Sequence, residues 1–202
     1  PALAEHVIKP SIDAFNKAAN GEMAIELYTS DQLVPQGELF RAVQAGTIDA
    51  AQSDDDSMAS PVDVAVFGAY FPFASRYGLD VPVLWNWYGL KEIWEEAYGE
   101  VPGVTWLSAG AWDPCNFVTT KPIRSLEDLN GLKFRISGFA GHLFAKLGAS
   151  PTQIAGPDIY PSLERGTIDA AEWIGPYDDE KLGFARIARY YYAPGFWEGS
   201  SR

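Results

Sequence analysis

The hexapeptide Gly46-Thr47-Ile48-Asp49-Ala50-Ala51 recurs unchanged as Gly166-Thr167-Ile168-Asp169-Ala170-Ala171, 120 residues further along. In both places a short stretch with helical spacing precedes the glycine, with Val43 and Leu163 in the same register. Glycine supplies the left-handed backbone that ends a helix. The isoleucine and small residues after it read as a short buried strand, and the alanine pair lets a helix lie close on a sheet. A chain that twice writes helix, glycine and strand is constrained to an α/β architecture. Two such units this far apart predict two similar α/β lobes, one begun in each half, with a cleft between them where a small ligand binds.

The rest of the pattern agrees with alternating elements. Leu3, Val7, Ile8, Ile12 and Phe15 predict a helix over 3–19, which Pro10 kinks or starts and Asn20-Gly21 stops. Met23, Ile25 and Leu27 alternate with Glu22 and Glu26, a strand with one solvated face. Helices are expected at 37–45, with Leu39, Phe40 and Val43 inward, and at 90–98, with Ile93, Trp94 and Ala97 on one side. Further helices are expected at 140–147, capped by Gly148, and at 159–165, with Asp158 as N-cap. Strands are expected at 48–51, 104–107, 132–136 and 168–173, with 152–155 extended and 62–73 packed irregularly. Ser125 and Asp128 resemble a capping box.

Nearly half of the 202 residues are hydrophobic, enough for a real core, and no low-complexity stretch appears. A net charge of −12 sets the surface against phosphate backbones and anionic lipids. It leaves an anionic ligand open, because a buried site is governed by its local groups. No apolar run is long enough to span a bilayer, and residues 1–4 are not a signal peptide. Cys115 is the sole cysteine, so no internal disulfide can form.

Signatures of catalysis are scarce. His6 and His142 each sit alone on a predicted helix, and there is no phosphate-binding loop, dinucleotide fingerprint or nucleophile elbow. Cys115 has no neighbour at metal-ligand spacing and reads as a small core residue. Two charges look placed. Arg135 lies inside the apolar run Phe134-Arg135-Ile136, which leads into a Ser-Gly turn. A guanidinium at a strand end can grip a carboxylate bidentately, or simply pair with a structural acid. Glu172 comes directly after the second hexapeptide, where the first has Gln52. A carboxylate ending a buried strand needs a partner, either Arg135 or a cation held by oxygen ligands. The aromatics Trp85, Trp87, Tyr88, Tyr190, Tyr191, Tyr192, Phe196 and Trp197 line a cleft or fill the core. Asp54, Asp55 and Asp56 read as a solvated turn, with no role assigned.

Several stretches together carry a resemblance: 133–141 (KFRISGFAG), 158–161 (DIYP), 166–173 (GTIDAAEW), 175–179 (GPYDD), 190–192 (YYY) and 195–199 (GFWEG). They closely resemble the substrate-binding component of TRAP transporters, particularly the branch that binds 2-oxo acids such as pyruvate. Val34-Pro35, Phe40 and 42–47 match the first lobe of that family. The resemblance covers nearly the whole chain, most strongly from Leu126 onward.

The resemblance implies a periplasmic-binding-protein-like α/β fold, with two lobes and a long linking helix around a ligand cleft. Residues 1–115 are then mostly first lobe, and 116–202 mostly second lobe and the start of the return to the first. Against the family pattern the chain is expected to be partial at both ends. The implied function is periplasmic capture of a small monocarboxylate, a 2-oxo or related hydroxy acid, and its delivery to TRAP membrane permease subunits. Arg135 would pair with the ligand carboxylate. A cation, sodium with calcium as the other choice, would bridge Glu172, the Trp173 carbonyl and the ligand, and Glu198 is a further candidate. Where the family supplies an amide to the ligand this chain has Pro114, and Asn116 is the nearby substitute. No organic cofactor is implied, and a homodimer is left open. Two alternatives stand beside this reading: an α/β enzyme using Glu172 or an aspartate as general base, and a cytosolic ligand-sensing module.

Overall fold

The computed structural model describes residues 4–29, 31–54, 60–68, 78, 80–110, 115–136 and 138–197. The first helical segment divides in two, a π-helical turn at Ala4–Ile8 and α1 at Lys9–Ala19. Pro10 sits in the first turn of α1, where its missing N–H costs nothing. Asn20 and Gly21 both take positive φ, 48° and 86°, and stop the helix. After a 3-10 turn at Gln36–Glu38 comes α2, Leu39–Gln44, ended by Gly46 at φ 69°. A further 3-10 segment, Asp63–Gly68, precedes α3, Asp80–Trp87, and α4, Leu90–Gly99. Phe40, Val62, Ala65, Val81, Trp85, Trp94 and Tyr98 form one apolar core, in which Trp85 stacks on Trp106 at 5.0 Å.

The later part of the chain builds a five-stranded mixed sheet, with strands β1 Cys115–Thr119, β2 Lys133–Arg135, β3 Ser150–Thr152, β4 Ala170–Glu172 and β5 Tyr190–Trp197. Their order is β3-β2-β4-β1-β5. Strands β2, β3 and β4 run parallel, while β1 is antiparallel to both β4 and β5. The parallel strands are joined by α5, Gly138–Lys146, and α6, Gly156–Glu164; α7 is Pro176–Lys181. One core gathers Phe134, Ile136, Ala140, Phe144 and Ala170. A second gathers Val118, Ile159, Leu163, Ile168, Ala171 and Phe184. The sheet is therefore covered on both sides, and β4 is buried along its whole length.

The capping box forms: the Asp128 carboxylate accepts the Ser125 amide at 3.1 Å and opens a 3-10 turn at Leu126–Leu129. Gly148 caps α5 at φ 93°, and a Cβ there would lie 2.1 Å from the Asn130 amide oxygen.

Other expectations are corrected. Residues 23–28 and 104–107 are not strands, and Leu107 is 79 % exposed. Residues 48–51 are not a buried strand either: Ile48 is half-buried and 49–51 are exposed. Ile93 faces outward while Trp94 and Tyr98 are buried. Helix α6 starts at Gly156, ahead of Asp158, because Pro157 favours the first turn. Asp54 is buried and not in a solvated turn, whereas Asp55 and Asp56 lie outside the described residues. Helices α3 and α7 and strands β1 and β5 escaped the sequence pattern. No long linking helix occurs among the described residues, where the longest is α1 at 11 residues. No helix there is long and apolar enough to cross a membrane.

Candidate functional site

Three adjacent strands bring the candidate residues to one end of the sheet. Arg135 closes β2 and Glu172 closes β4, both at carboxyl ends of parallel strands. Strand β1 runs the other way, so its first residues lie at the same end. Its register pairs Phe117 with Glu172, which sets Asn116 opposite Trp173. The carboxyl ends of parallel strands are where α/β sheets open crevices for ligands.

Arg135 and Glu172 are bound to each other. The Nη1 of Arg135 donates to Glu172 Oε2 at 2.9 Å and to the Glu172 carbonyl at 2.6 Å, and Nε donates to the Ile154 carbonyl at 3.1 Å. The glutamate is fully buried and the arginine 6 % exposed. Two carbonyls and a carboxylate thus lock the guanidinium plane. A buried ion pair of this kind adds little net stability but is costly to break, because the surviving charge stays in a poorly solvated place.

Trp173 completes the wall. Its ring lies 5.2 Å from the Arg135 guanidinium carbon, a cation–π contact. Gly156, in the first turn of α6, makes room for it: a Cβ there would sit 2.5 Å from the indole Cη2. The ring position therefore depends on a glycine that no sequence pattern singled out.

Asn116 is buried on β1, adjacent in the chain to Phe117, which stacks on Tyr192 at 4.9 Å. Cys115 belongs to the same strand. Pro114 and Glu198 lie outside the described residues. Trp85 is a core residue, and Trp87 and Tyr88 are 80 % and 75 % exposed at the α3–α4 turn. Tyr192 bonds the Ile123 carbonyl at 2.8 Å. Tyr191 donates to Asp179 Oδ2 at 2.9 Å. Asp179 is 4 % exposed, and burial pushes its carboxyl up to about 6 despite the tyrosine. Neither Asp179 nor Gly156 was a candidate from sequence; Asp179 was visible only as one acid in Gly-Pro-Tyr-Asp-Asp.

The second repeat's aspartate ties the other end of the sheet. Burial raises the Asp169 carboxyl, but hydrogen bonds and charge from Lys121 and Lys133 outweigh that and leave it lowered. Lys121 Nζ is 2.8 Å from Oδ1, and the Lys133 amide donates to Oδ2 at 3.2 Å.

The oxygens of the Glu172 carboxylate and the Trp173 carbonyl are hard donors, the kind sodium and calcium take. No cluster of three or more His, Cys, Asp or Glu side chains suited to a metal occurs among the described residues. Any cation here would therefore complete its shell with backbone, solvent or ligand oxygens.

Comparison with known proteins gives a consistent answer. A 2-oxoacid-binding periplasmic protein for monocarboxylates from Nostoc sp. is 36 % identical over 185 residues, covering 89 % of this chain and 49 % of that protein. A TRAP periplasmic solute-binding protein from Chromohalobacter salexigens, solved with bound (S)-(+)-2-amino-1-propanol, superposes with a TM-score of 0.91 at 54 % identity, over 99 % of this chain and 63 % of that one. Another, from Pseudoalteromonas atlantica with bound sodium and pyruvate, gives 0.79 at 30 % identity, over 96 % and 59 %. The chain thus spans about half to three fifths of the relatives it matches. The model of bacterial extracellular solute-binding proteins, family 7, matches residues 9–200. The chain belongs to this family, DctP, whose members are extracytoplasmic solute receptors.

Proposed function

We propose that this chain is the ligand-holding part of a TRAP-type extracytoplasmic receptor for a small monocarboxylate, a 2-oxo acid or a related hydroxy acid. The observation that carries the reading is the Arg135–Glu172 pair at the ends of β2 and β4, with Trp173 across the guanidinium. An arginine pinned by its own protein through Nε and Nη1 is preorganised, so a carboxylate meeting its Nη2 edge loses little entropy on binding. A cation on the Glu172 carboxylate and the Trp173 carbonyl would supply a second positive centre for the ligand's carboxylate and adjacent oxygen. The pyruvate and sodium in the Pseudoalteromonas protein support this ligand class. Asn116 would offer its amide from β1, and Glu198 is a further candidate ligand. A first lobe over 1–115, closing on the second, would exclude water and strengthen each charge contact. Delivery to membrane permease subunits in the periplasm would come next, driven by the permease's ion gradient and not by chemistry at this chain.

A second ligand reading has one observation in its favour: the amino alcohol in the Chromohalobacter protein, the more similar of the two structures. An ammonium ligand would sit on Glu172 and leave Arg135 with its internal partners.

Thermal unfolding of the full-length protein separates the two readings. Pyruvate, lactate and 2-amino-1-propanol are each tested with sodium, with calcium and with neither. A ligand at a hundredfold excess over its dissociation constant adds about 2.7 kcal/mol of stability. Stabilisation by a 2-oxo acid that needs the cation and vanishes in Arg135→Ala is the expected result. Stabilisation by the amino alcohol alone would overturn the carboxylate reading.

A further inference from the structure

The segment that leaves β4 is held at every residue. The Glu172 carbonyl accepts from Arg135 Nη1 at 2.6 Å, and the Trp173 ring fits against Gly156. The Ile174 N–H donates to the Asp179 carboxyl. Gly175 is extended, with φ −153° and ψ 178°, and leads into Pro176 at the start of α7. Its carbonyl accepts from the Asp179 amide at 3.0 Å. Asp179 therefore grips this segment twice, by its amide at Gly175 and by its carboxyl at Ile174.

The carboxyl is itself pinned to the sheet. Asp179 is 4 % exposed, and its Oδ2 accepts the Tyr191 hydroxyl at 2.9 Å from β5. Tyr191 lies in register with Val118 of β1, and Val118 lies in register with Ala171 of β4 on the other side. No lysine, arginine or histidine pairs with Asp179 among the described residues. Burying an acid without a cation costs stability, so its contribution lies elsewhere than in the fold. The peptide joining Trp173 to Ile174 shows where. A trans peptide is one rigid plane, with its N–H on one edge and its carbonyl on the other. Whatever fixes the Ile174 N–H fixes the direction of the Trp173 carbonyl. A carboxylate on the N–H edge also polarises the unit and enriches the carbonyl oxygen, as linked hydrogen bonds do.

We propose that Asp179 is a positioning residue for the Trp173 carbonyl, acting through the Trp173–Ile174 peptide, and so sets how tightly that oxygen holds a cation. The role rests on the reading of the Glu172 carboxylate and the Trp173 carbonyl as the cation-holding oxygens. Asp179 is not itself a ligand. Outer-shell partners of this kind are worth roughly ten- to a hundredfold in metal affinity.

Two measurements on the full-length protein at pH 7.5 test it. The first needs no ligand: hydrogen exchange at the Ile174 amide, read by NMR. The amide is expected to be protected in the wild type. Asp179→Ala, which removes the acceptor, should speed its exchange at least about tenfold and leave 170–172 unchanged. Asp179→Asn, which keeps the shape and one accepting oxygen, should fall between the two. Free exchange in the wild type, or exchange unaltered in both variants, would overturn the proposal. The second is calorimetric titration with calcium, then with pyruvate at saturating calcium. Calcium affinity should fall roughly tenfold or more in Asp179→Ala and less in Asp179→Asn, with pyruvate affinity at saturating calcium within about twofold of the wild type. Equal loss of both affinities would mark a disturbed fold and overturn the positioning role. Asp178→Asn removes the same charge one residue away and should leave calcium affinity within about twofold; a loss as large as that of Asp179→Ala would make the effect one of distant charge, again overturning it. A wild type that binds no calcium sinks the cation reading itself. A wild type that binds calcium, beside Asp179 variants that bind it equally well, sinks only the role of Asp179.

Discussion

Asp179 offers a sharp test of the electrostatics behind the sheet. Its carboxyl is buried between α7 and β5, takes a hydrogen bond from Tyr191, and has no salt-bridge partner among the described residues. Desolvation pushes it up to about 6 from an ordinary 3.8. The unfolded chain releases this proton near pH 4 and the folded chain near pH 6. Between those values the folded state binds more protons, so rising pH erodes stability; above pH 6 the loss is complete. A difference of roughly two units corresponds to about 3 kcal/mol. Asp179→Asn keeps the shape and an oxygen to accept from Tyr191, and removes the charge. The variant should match the wild type at pH 4 and exceed it by about 2–3 kcal/mol at pH 7.5, less any cost in the tyrosine bond. Urea denaturation at half-unit pH steps, read as the difference between the two proteins, isolates this one group from every other titration. A difference that stays flat from pH 4 to 7.5, or a variant less stable at pH 7.5, would show that the carboxylate is solvated or paired in solution and would refute the reasoning.

Other perturbations bear on the site and its frame. Arg135→Ala should cost about 3–5 kcal/mol in urea denaturation by leaving Glu172 buried without its cation. The double variant Arg135→Met with Glu172→Leu should recover most of that loss yet bind no ligand; a double variant as unstable as the single would contradict the pairing. Gly156→Ala drives a methyl into Trp173 and should weaken ligand binding at least tenfold in calorimetry, with a stability cost of about 1–3 kcal/mol; unchanged affinity would free the ring from any role. Asp169→Asn removes the charge paired with Lys121 and one of its two accepting oxygens, and should cost roughly 1.5–3 kcal/mol at pH 7. The wild type should lose this contribution as pH falls through the folded value, so the variant's acid limb flattens; Asp49→Asn, at the exposed copy, should leave stability at pH 7 within about 0.5 kcal/mol of the wild type.

The parallel core was legible because its signals are local. Gly148 and Gly166 end helices at positive φ, and Leu132, Phe134 and Ile136 mark a short apolar strand that is buried in the fold. Arg135 and Glu172 stood out for the same reason: a charge inside such a strand demands a partner, and each proved to be the other's. Strands β1 and β5 were illegible because their pairing is antiparallel and non-local. Nothing within Cys115–Thr119 announces that Phe117 will face Glu172 on one side and Tyr192 on the other. Gly156 was invisible because its purpose lies in Trp173, seventeen residues away in the chain.

The misread strand at 48–51 is the more instructive failure. Its six residues are identical to those entering β4, and the helix joint before it is the same to within a few degrees and a tenth of an ångström. Propensity, pattern and turn chemistry therefore cannot account for one copy being a central strand and the other an exposed segment. The difference lies in the neighbour: β4 has β2 on one side and β1 on the other. Strand formation here is a property of the slot, as expected if β propensity measures fit to a pleated, half-buried surface. The isoleucine reports it most directly, since Ile168 is 1 % exposed while Ile48, with the same backbone joint, remains only half-buried.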